Sequence, residues 1–196
     1  HPDWEVKINR IISKMAHKDI RMICGVPTWT IVLFERMIQH YGADHMFDIW
    51  SNLEVYIHGG VGFGPYQEQF KKYLPSDKML YHEVYNASEG YFATQDNDLG
   101  EGMLLLLDNH VFYEFLPISE WESSNPKTVT LEDVEPDRQY GLIINSSSGL
   151  WRYIIGDTIQ FTSIKPYRIK ITGRMQQYIN VFGEELMVGN TEEALS

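Results

Sequence analysis

Met79-Leu80-Tyr81-His82-Glu83-Val84 runs directly into Tyr85-Asn86-Ala87-Ser88-Glu89-Gly90. The first six residues read as a strand. The next six place an aromatic ring, a hydroxyl and a carboxylate at its carboxyl end, where open α/β sheets bind their ligands. A ring stacks on a base, a hydroxyl bonds a phosphate, and a carboxylate ligates magnesium through oxygen. Each residue alone also has a plainer reading, Tyr85 as a core ring and Glu89 as a solvated loop acid.

The flanking sequence gives this strand its partners. Upstream, Trp4, Ile8, Ile11, Ile12 and Met15 recur at helical spacing, so Asp3 to His17 reads as a helix with Asp3 near its cap. Arg21 to Val26 reads as a buried strand. Pro27 breaks it, and Thr28 is placed to cap a helix from Trp29 to Tyr41 that Gly42 ends. Leu53 to His58 is a second strand, followed by the glycine-rich loop Gly59 to Gly64 and a helix opened by Pro65. Strand, helix, strand, helix, strand implies parallel pairing with right-handed crossovers. After Tyr91 the texture changes. Short strands are expected at Phe92 to Gln95, Met103 to Leu107, Val111 to Leu116, Tyr140 to Ile144, Trp151 to Ile155, Thr158 to Thr162, Ile169 to Thr172 and Tyr178 to Phe182. Glu120 to Arg138 is polar and reads as a surface excursion. Asn190 or Thr191 is placed to cap a last helix. The fold class is therefore α/β, a parallel βαβ sheet followed by an antiparallel β subdomain.

Composition narrows the function classes. The chain has 196 residues and a formal net charge of -11. Such an acidic balance argues against a broad basic face for nucleic acid but leaves a local nucleotide site open. No apolar run approaches the roughly 20 residues that span a bilayer. The single cysteine, Cys24, rules out an internal disulfide and reads as a small buried hydrophobe in the apolar run Ile20 to Val26. With no signal-like start, a cytoplasmic setting is expected. The histidines show no metal-ligand spacing. His58 reads either as a ligand contact or as a satisfied strand-end histidine.

Four segments carry a resemblance. They are His58-Gly59-Gly60-Val61-Gly62-Phe63-Gly64, Tyr85 to Gly90, Trp151-Arg152-Tyr153-Ile154-Ile155-Gly156-Asp157, and Ile171-Thr172-Gly173-Arg174 continuing through Tyr178 to Leu186. In this order they resemble the core motifs of the adenylate-forming superfamily of acyl-CoA synthetases, peptide-synthetase adenylation domains and luciferases. Asn86-Ala87-Ser88-Glu89-Gly90 and Asn180-Val181-Phe182-Gly183-Glu184-Glu185-Leu186 look like the auxin-responsive acyl acid–amido synthetase family, in its bacterial branch. Without the resemblance, the glycine loop is a plain strand-to-helix turn, since no Lys-Ser or Lys-Thr follows it. Gly156-Asp157 alone reads as a hairpin turn.

The resemblance implies part of an adenylate-forming N-terminal domain. Residues 1–91 would form its parallel α/β part, 92–172 its β-rich part, and 173–196 the hinge and the start of a truncated C-terminal domain. It implies ATP and magnesium (Mg2+) as cofactors, with a carboxylic acid and an amino acid or other amine as partners. The acid attacks the α-phosphate of ATP, and the amine then displaces AMP. Gly59 and Gly60 would admit adenine against the backbone, and Tyr85 would stack on its other face. Ser88 would lie near the α-phosphate or the acyl carboxylate, Glu89 would hold magnesium, and Asp157 would accept from both ribose hydroxyls. Arg174 would contact ribose or phosphate. Val26 and Trp29 would wall the acyl pocket, although Trp29 reads equally well as a core residue.

Two features depart from the family. The Ser/Thr/Gly-rich phosphate loop, expected well over a hundred residues before Tyr85, has no counterpart before His58. Gln176-Gln177 stands where bacterial relatives often carry a basic residue. The expectation is of a fragment that is inactive by itself, from an active parent. An acyl-CoA-forming ligase and a non-catalytic nucleotide-binding relative are the alternatives.

Overall fold

The computed structural model describes residues 3–96 and 101–175, together with two further strands, Tyr178–Val181 and Glu184–Met187. The chain forms two compact units, His1–Val84 and Tyr85–Ser196.

In the first unit, helix α1 (Trp4–Met15) is capped by Asp3, whose carboxylate accepts from the Val6 amide at 3.2 Å. Strand β1 (Met22–Cys24), helix α2 (Pro27–Tyr41), strand β2 (Val55–His58), helix α3 (Gln67–Tyr73) and strand β3 (Leu80–Ala87) follow. β1 pairs parallel with β2, and β2 with β3. With strands in chain order, right-handed crossovers bring α2 and α3 to the same face. That face buries Phe34, Met37, Tyr56 and Phe70, and the Tyr56 ring stacks on Phe70 at 4.7 Å. The Tyr56 hydroxyl donates to the Gly25 carbonyl at 2.8 Å, tying β2 to the turn after β1.

Two local expectations are corrected here. α2 starts at Pro27 itself, with Val26 at the cap and no side-chain capping bond. Proline suits the first helical position because an amide hydrogen there would have no helical partner. Gly42, at φ 60°, closes the helix as expected. Cys24, expected to be buried, is exposed. It points with Met22 and Leu80, both exposed, to the face opposite Tyr56.

The second unit begins inside β3. Residues 85–87 turn through Ser88-Glu89 into β4 (Gly90–Thr94). β5 (Met103–Leu105), β6 (Val111–Pro117), β7 (Gln139–Ser146), β8 (Tyr153–Ile164) and β9 (Tyr167–Arg174) follow. Their order is β4-β5-β9-β8-β7-β6, antiparallel throughout. Phe92, Phe115, Tyr140, Ile159, Phe161 and Ile169 are buried between them. The architecture is therefore a parallel sheet followed by antiparallel strands, as the sequence implies.

The strands expected at Trp151 to Ile155 and Thr158 to Thr162 are a single strand, β8, with a bulge where a turn was anticipated. The Glu120 to Arg138 excursion is not wholly superficial. Val129 bridges Phe115, Pro136 bridges Phe161, and Val134 is buried. Main-chain hydrogen bonds between Val129 and Phe115, together with the packing of Val129, Leu131 and Val134 on the core, supply the contact. Strand β10 (Tyr178–Val181) pairs antiparallel with β11 (Glu184–Met187). Gln176-Gln177 and the helix expected from Asn190 or Thr191 lie outside the described residues.

Candidate active site

The second unit brings Tyr85, Asp157 and Arg174 together. The Tyr85 hydroxyl donates to Asp157 Oδ2 and Arg174 Nε donates to Asp157 Oδ1, each at 2.9 Å. Asp157 is buried, at 8% exposure, while the Arg174 side chain reaches solvent. Local backbone irregularity produces this arrangement. Between the pairs Ile143↔Ile154 and Gly141↔Thr158, β8 carries two more residues than β7. Gly156 lies in that stretch at φ 90°. On the other side, Asp157 pairs with Arg174, and the register against β9 shifts between Thr158 and Ile159. Bulges re-aim side chains out of strict alternation, and here one turns a carboxylate towards Tyr85.

Tyr85 is 2% exposed, and its ring meets Phe92 edge-on at 5.2 Å. Burial and the adjacent Asp157 carboxylate raise the phenol's pKa well above its ordinary value, so it is a fixed donor. The adenine-stacking role implied by the resemblance needs a ring face that this structure covers.

Ser88 and Glu89 form the β3–β4 turn, with Ser88 exposed. The Tyr153 hydroxyl donates to Glu89 Oε1 at 3.0 Å. That bond, and then the carboxylate's charge, raise the Tyr153 pKa. Sequence reasoning gave Tyr153 no role. Its one signal was its place, four residues before Asp157, in a motif already singled out. Among the described residues, no group of three or more His, Cys, Asp or Glu side chains suits a metal ion. A lone carboxylate still fits magnesium, which keeps several waters and is commonly held by one or two carboxylates plus substrate phosphates.

The remaining candidates lie in the first unit. A Cβ added at Gly59 would stand 2.4 Å from the Val84 carbonyl oxygen, so close strand packing alone requires glycine there. Gly60 sits at φ 83°, and its nearest neighbour is a Val26 methyl, 3.6 Å from a built Cβ. Val26 and Trp29 are both partly exposed, and Trp29 packs edge-on against Trp4 at 4.8 Å. His58 is fully buried, stacked on Phe63 at 4.1 Å, with neither ring nitrogen hydrogen-bonded. No helix among the described residues is long and apolar enough to cross a membrane.

Residues 104–174 match the GH3 family central domain. Indole-3-acetic acid-amido synthetase GH3.3 of Arabidopsis thaliana is 31% identical over 121 residues, covering 58% of this chain and 20% of that protein. Jasmonoyl--L-amino acid synthetase JAR4 of Nicotiana attenuata is 28% identical over 100 residues, covering 49% of this chain and 17% of that protein. The chain thus spans about a fifth of the length of the curated relatives it matches. Among solved structures, 2-hydroxyisobutyryl-CoA ligase in its postadenylation state superposes with a TM-score of 0.70 at 13% identity, covering 96% of this chain and 40% of that one. The GH3.15 acyl acid amido synthetase gives a TM-score of 0.62 at 18% identity, covering 76% of this chain and 27% of that one. The fold is that of the adenylate-forming ligases. The GH3 match and the sequence relatives support the same superfamily, with the matched segment running through β5 to β9 and including both Asp157 and Arg174.

Proposed function

We propose that this chain is part of an ATP-dependent ligase that activates a carboxylic acid as its acyl-adenylate and passes the acyl group to an amine, in the manner of the acyl acid–amido synthetases. The observation that carries the reading is the Tyr85–Asp157–Arg174 cluster. Its members come from three motifs expected on other grounds to share a nucleotide site, and 72 residues separate the first pair. Asp157, a two-oxygen acceptor, would receive the ribose hydroxyls, Tyr85 would fix its orientation, and Arg174 would turn from it to ribose or phosphate. Ser88 would lie beside the reacting carboxylate and α-phosphate. Glu89 would hold the magnesium ion, which supplies charge neutralisation between the two anions. Gly59 and Gly60 would line the base, and Val26 and Trp29 the acid. Positioning and electrostatics provide most of the rate in such a reaction, because the enzyme must orient two anions before any bond forms.

Amide formation is preferred because GH3 amido synthetases are the sequence relatives. The bacterial branch belongs to the same proposal, on the strength of Asn86 to Gly90 and Asn180 to Leu186. One observation favours a thioester-forming alternative, the wider coverage of this chain by 2-hydroxyisobutyryl-CoA ligase. The test is acid-dependent pyrophosphate release by the full-length protein containing this chain, with ATP, magnesium and a panel of aromatic, fatty and keto acids. Amino acids or coenzyme A are then offered to the activated acid. Release that depends on one acid, followed by amide product, is expected. Thioester product would select the alternative. No release with any acid, despite ATP binding, would point to the non-catalytic relative.

A further inference from the structure

A second polar cluster lies in the same unit and has no part in the reading above. Glu114 on β6 accepts from Arg152 Nε with both carboxylate oxygens at 3.1 Å, from Thr128 Oγ1 at 2.7 Å and from Asn145 Nδ2 at 3.1 Å. Arg152 Nη2 lies 2.9 Å from Glu114 Oε2 and also donates to Thr128 at 3.2 Å. The Arg152 amide donates to Asn145 Oδ1 at 2.8 Å. Burial pulls the Glu114 pKa up, but the hydrogen bonds from Thr128, Asn145 and Arg152, with the guanidinium charge, outweigh it and hold the carboxyl below its ordinary value. At φ 45°, Arg152 has a backbone conformation that only an over-determined setting maintains in a non-glycine residue. The next residue is Tyr153, whose hydroxyl meets Glu89. A strained, clamped residue thus immediately precedes the one side chain among the described residues that hydrogen-bonds the Glu89 carboxylate.

We propose that Tyr153 is the positioning residue for Glu89, and that the Glu114–Arg152 clamp sets Tyr153 for that task. The inference rests on the reading of Glu89 as the carboxylate facing a nucleotide-bound divalent cation. A phenol that occupies Oε1 fixes the carboxylate rotamer and so presets the position of Oε2. Partners of this kind typically change metal affinity by 10- to 100-fold when removed. If the same bonds merely stapled two hairpins together, their loss would lower stability and leave the cation response alone.

The experiment compares wild type, Tyr153→Phe, Glu114→Gln and the control Tyr91→Phe in the full-length protein. Tyr91 also donates a hydroxyl bond, to Thr94 at 3.2 Å, but makes none to Glu89. Two quantities are read: the magnesium concentration for half-maximal pyrophosphate release, and manganese affinity by electron paramagnetic resonance with a non-hydrolysable ATP analogue. Tyr153→Phe is expected to weaken both by about tenfold, with melting temperature unchanged within about a degree. Glu114→Gln shifts both in the same direction by less, and Tyr91→Phe shifts neither. Wild-type activity combined with unchanged manganese affinity in Tyr153→Phe overturns this inference alone. A wild type that releases no pyrophosphate overturns the ligase reading, and the inference with it.

Discussion

His58 shows how a residue's surroundings decide what it does. Its position beside a glycine loop left two sequence readings open, ligand contact or strand-end structure. The structure buries it against Phe63 and Tyr56 and leaves both nitrogens unbonded. Burial, and then the nearby His82 charge, lower its pKa from 6.5 to about 4. The unfolded chain therefore takes up a proton at this ring as pH falls below 6.5, while the folded chain does so only near 4. The stability associated with His58 is fully present above the unfolded value and is lost as pH falls through this window, by up to about 3 kcal/mol. His58→Phe keeps the stack and removes two orphaned polar atoms. It should stabilise the protein at pH 7 by roughly 1–3 kcal/mol, and the gain should grow towards pH 5. Urea denaturation at the two pH values checks this, and a constant difference between variant and wild type would refute the titration argument. No sequence pattern announces an unsatisfied imidazole, because satisfaction depends on what the fold packs around it.

β8 carries the main lesson about elements. Gly156-Asp157 has the composition of a turn, so the sequence divides the segment into two short strands. Gly156 does take the positive φ of a turn residue, but within a continuous strand. The same positive φ that serves a hairpin also serves a bulge, and only the register against β7 and β9 distinguishes them. Pro27 misled in the same way, acting as the first residue of α2 rather than as a stop. Where periodicity spoke directly, as in α1, β2 and β6, the elements stand close to where they were expected. The bulge gives a specific expectation. Gly156→Ala meets no steric obstacle, since nothing lies within 4 Å of the added Cβ, but it forces alanine to φ 90°. A cost of about 1–3 kcal/mol is expected from backbone strain alone. Gly62→Ala also meets nothing within 4 Å and needs no positive φ, so it should change stability by less than about 0.5 kcal/mol. Equal melting temperatures for the two variants would remove the strain argument.

For the chain as a whole, charge sets the final expectation. The sequence made the superfamily legible through the order of four motifs, and it singled out Tyr85, Asp157 and Arg174 one by one, but not the hydrogen bonds that join them. The Glu114–Arg152 clamp and Tyr153 were not anticipated, because a contact between residues 38 apart has no local signature. These same bonds bear on what 196 residues can do by themselves. Among the described residues around the candidate site, Arg174 is paired with Asp157 and Arg152 with Glu114. The chain's formal net charge is -11. A triphosphate approaching this surface meets cations already committed to carboxylates within a repulsive overall field. The isolated chain should therefore bind magnesium-ATP weakly and release no pyrophosphate above background with any acid, whereas the full-length protein should bind magnesium-ATP and release pyrophosphate with its own acid. Raising salt should strengthen the isolated chain's weak binding, since screening reduces the long-range repulsion set by its net charge. Isothermal titration of both proteins at two ionic strengths, alongside the pyrophosphate assay, makes the comparison. Turnover by the isolated chain would show that these residues already neutralise the phosphates and that the pairing of Arg174 with Asp157 yields to the nucleotide.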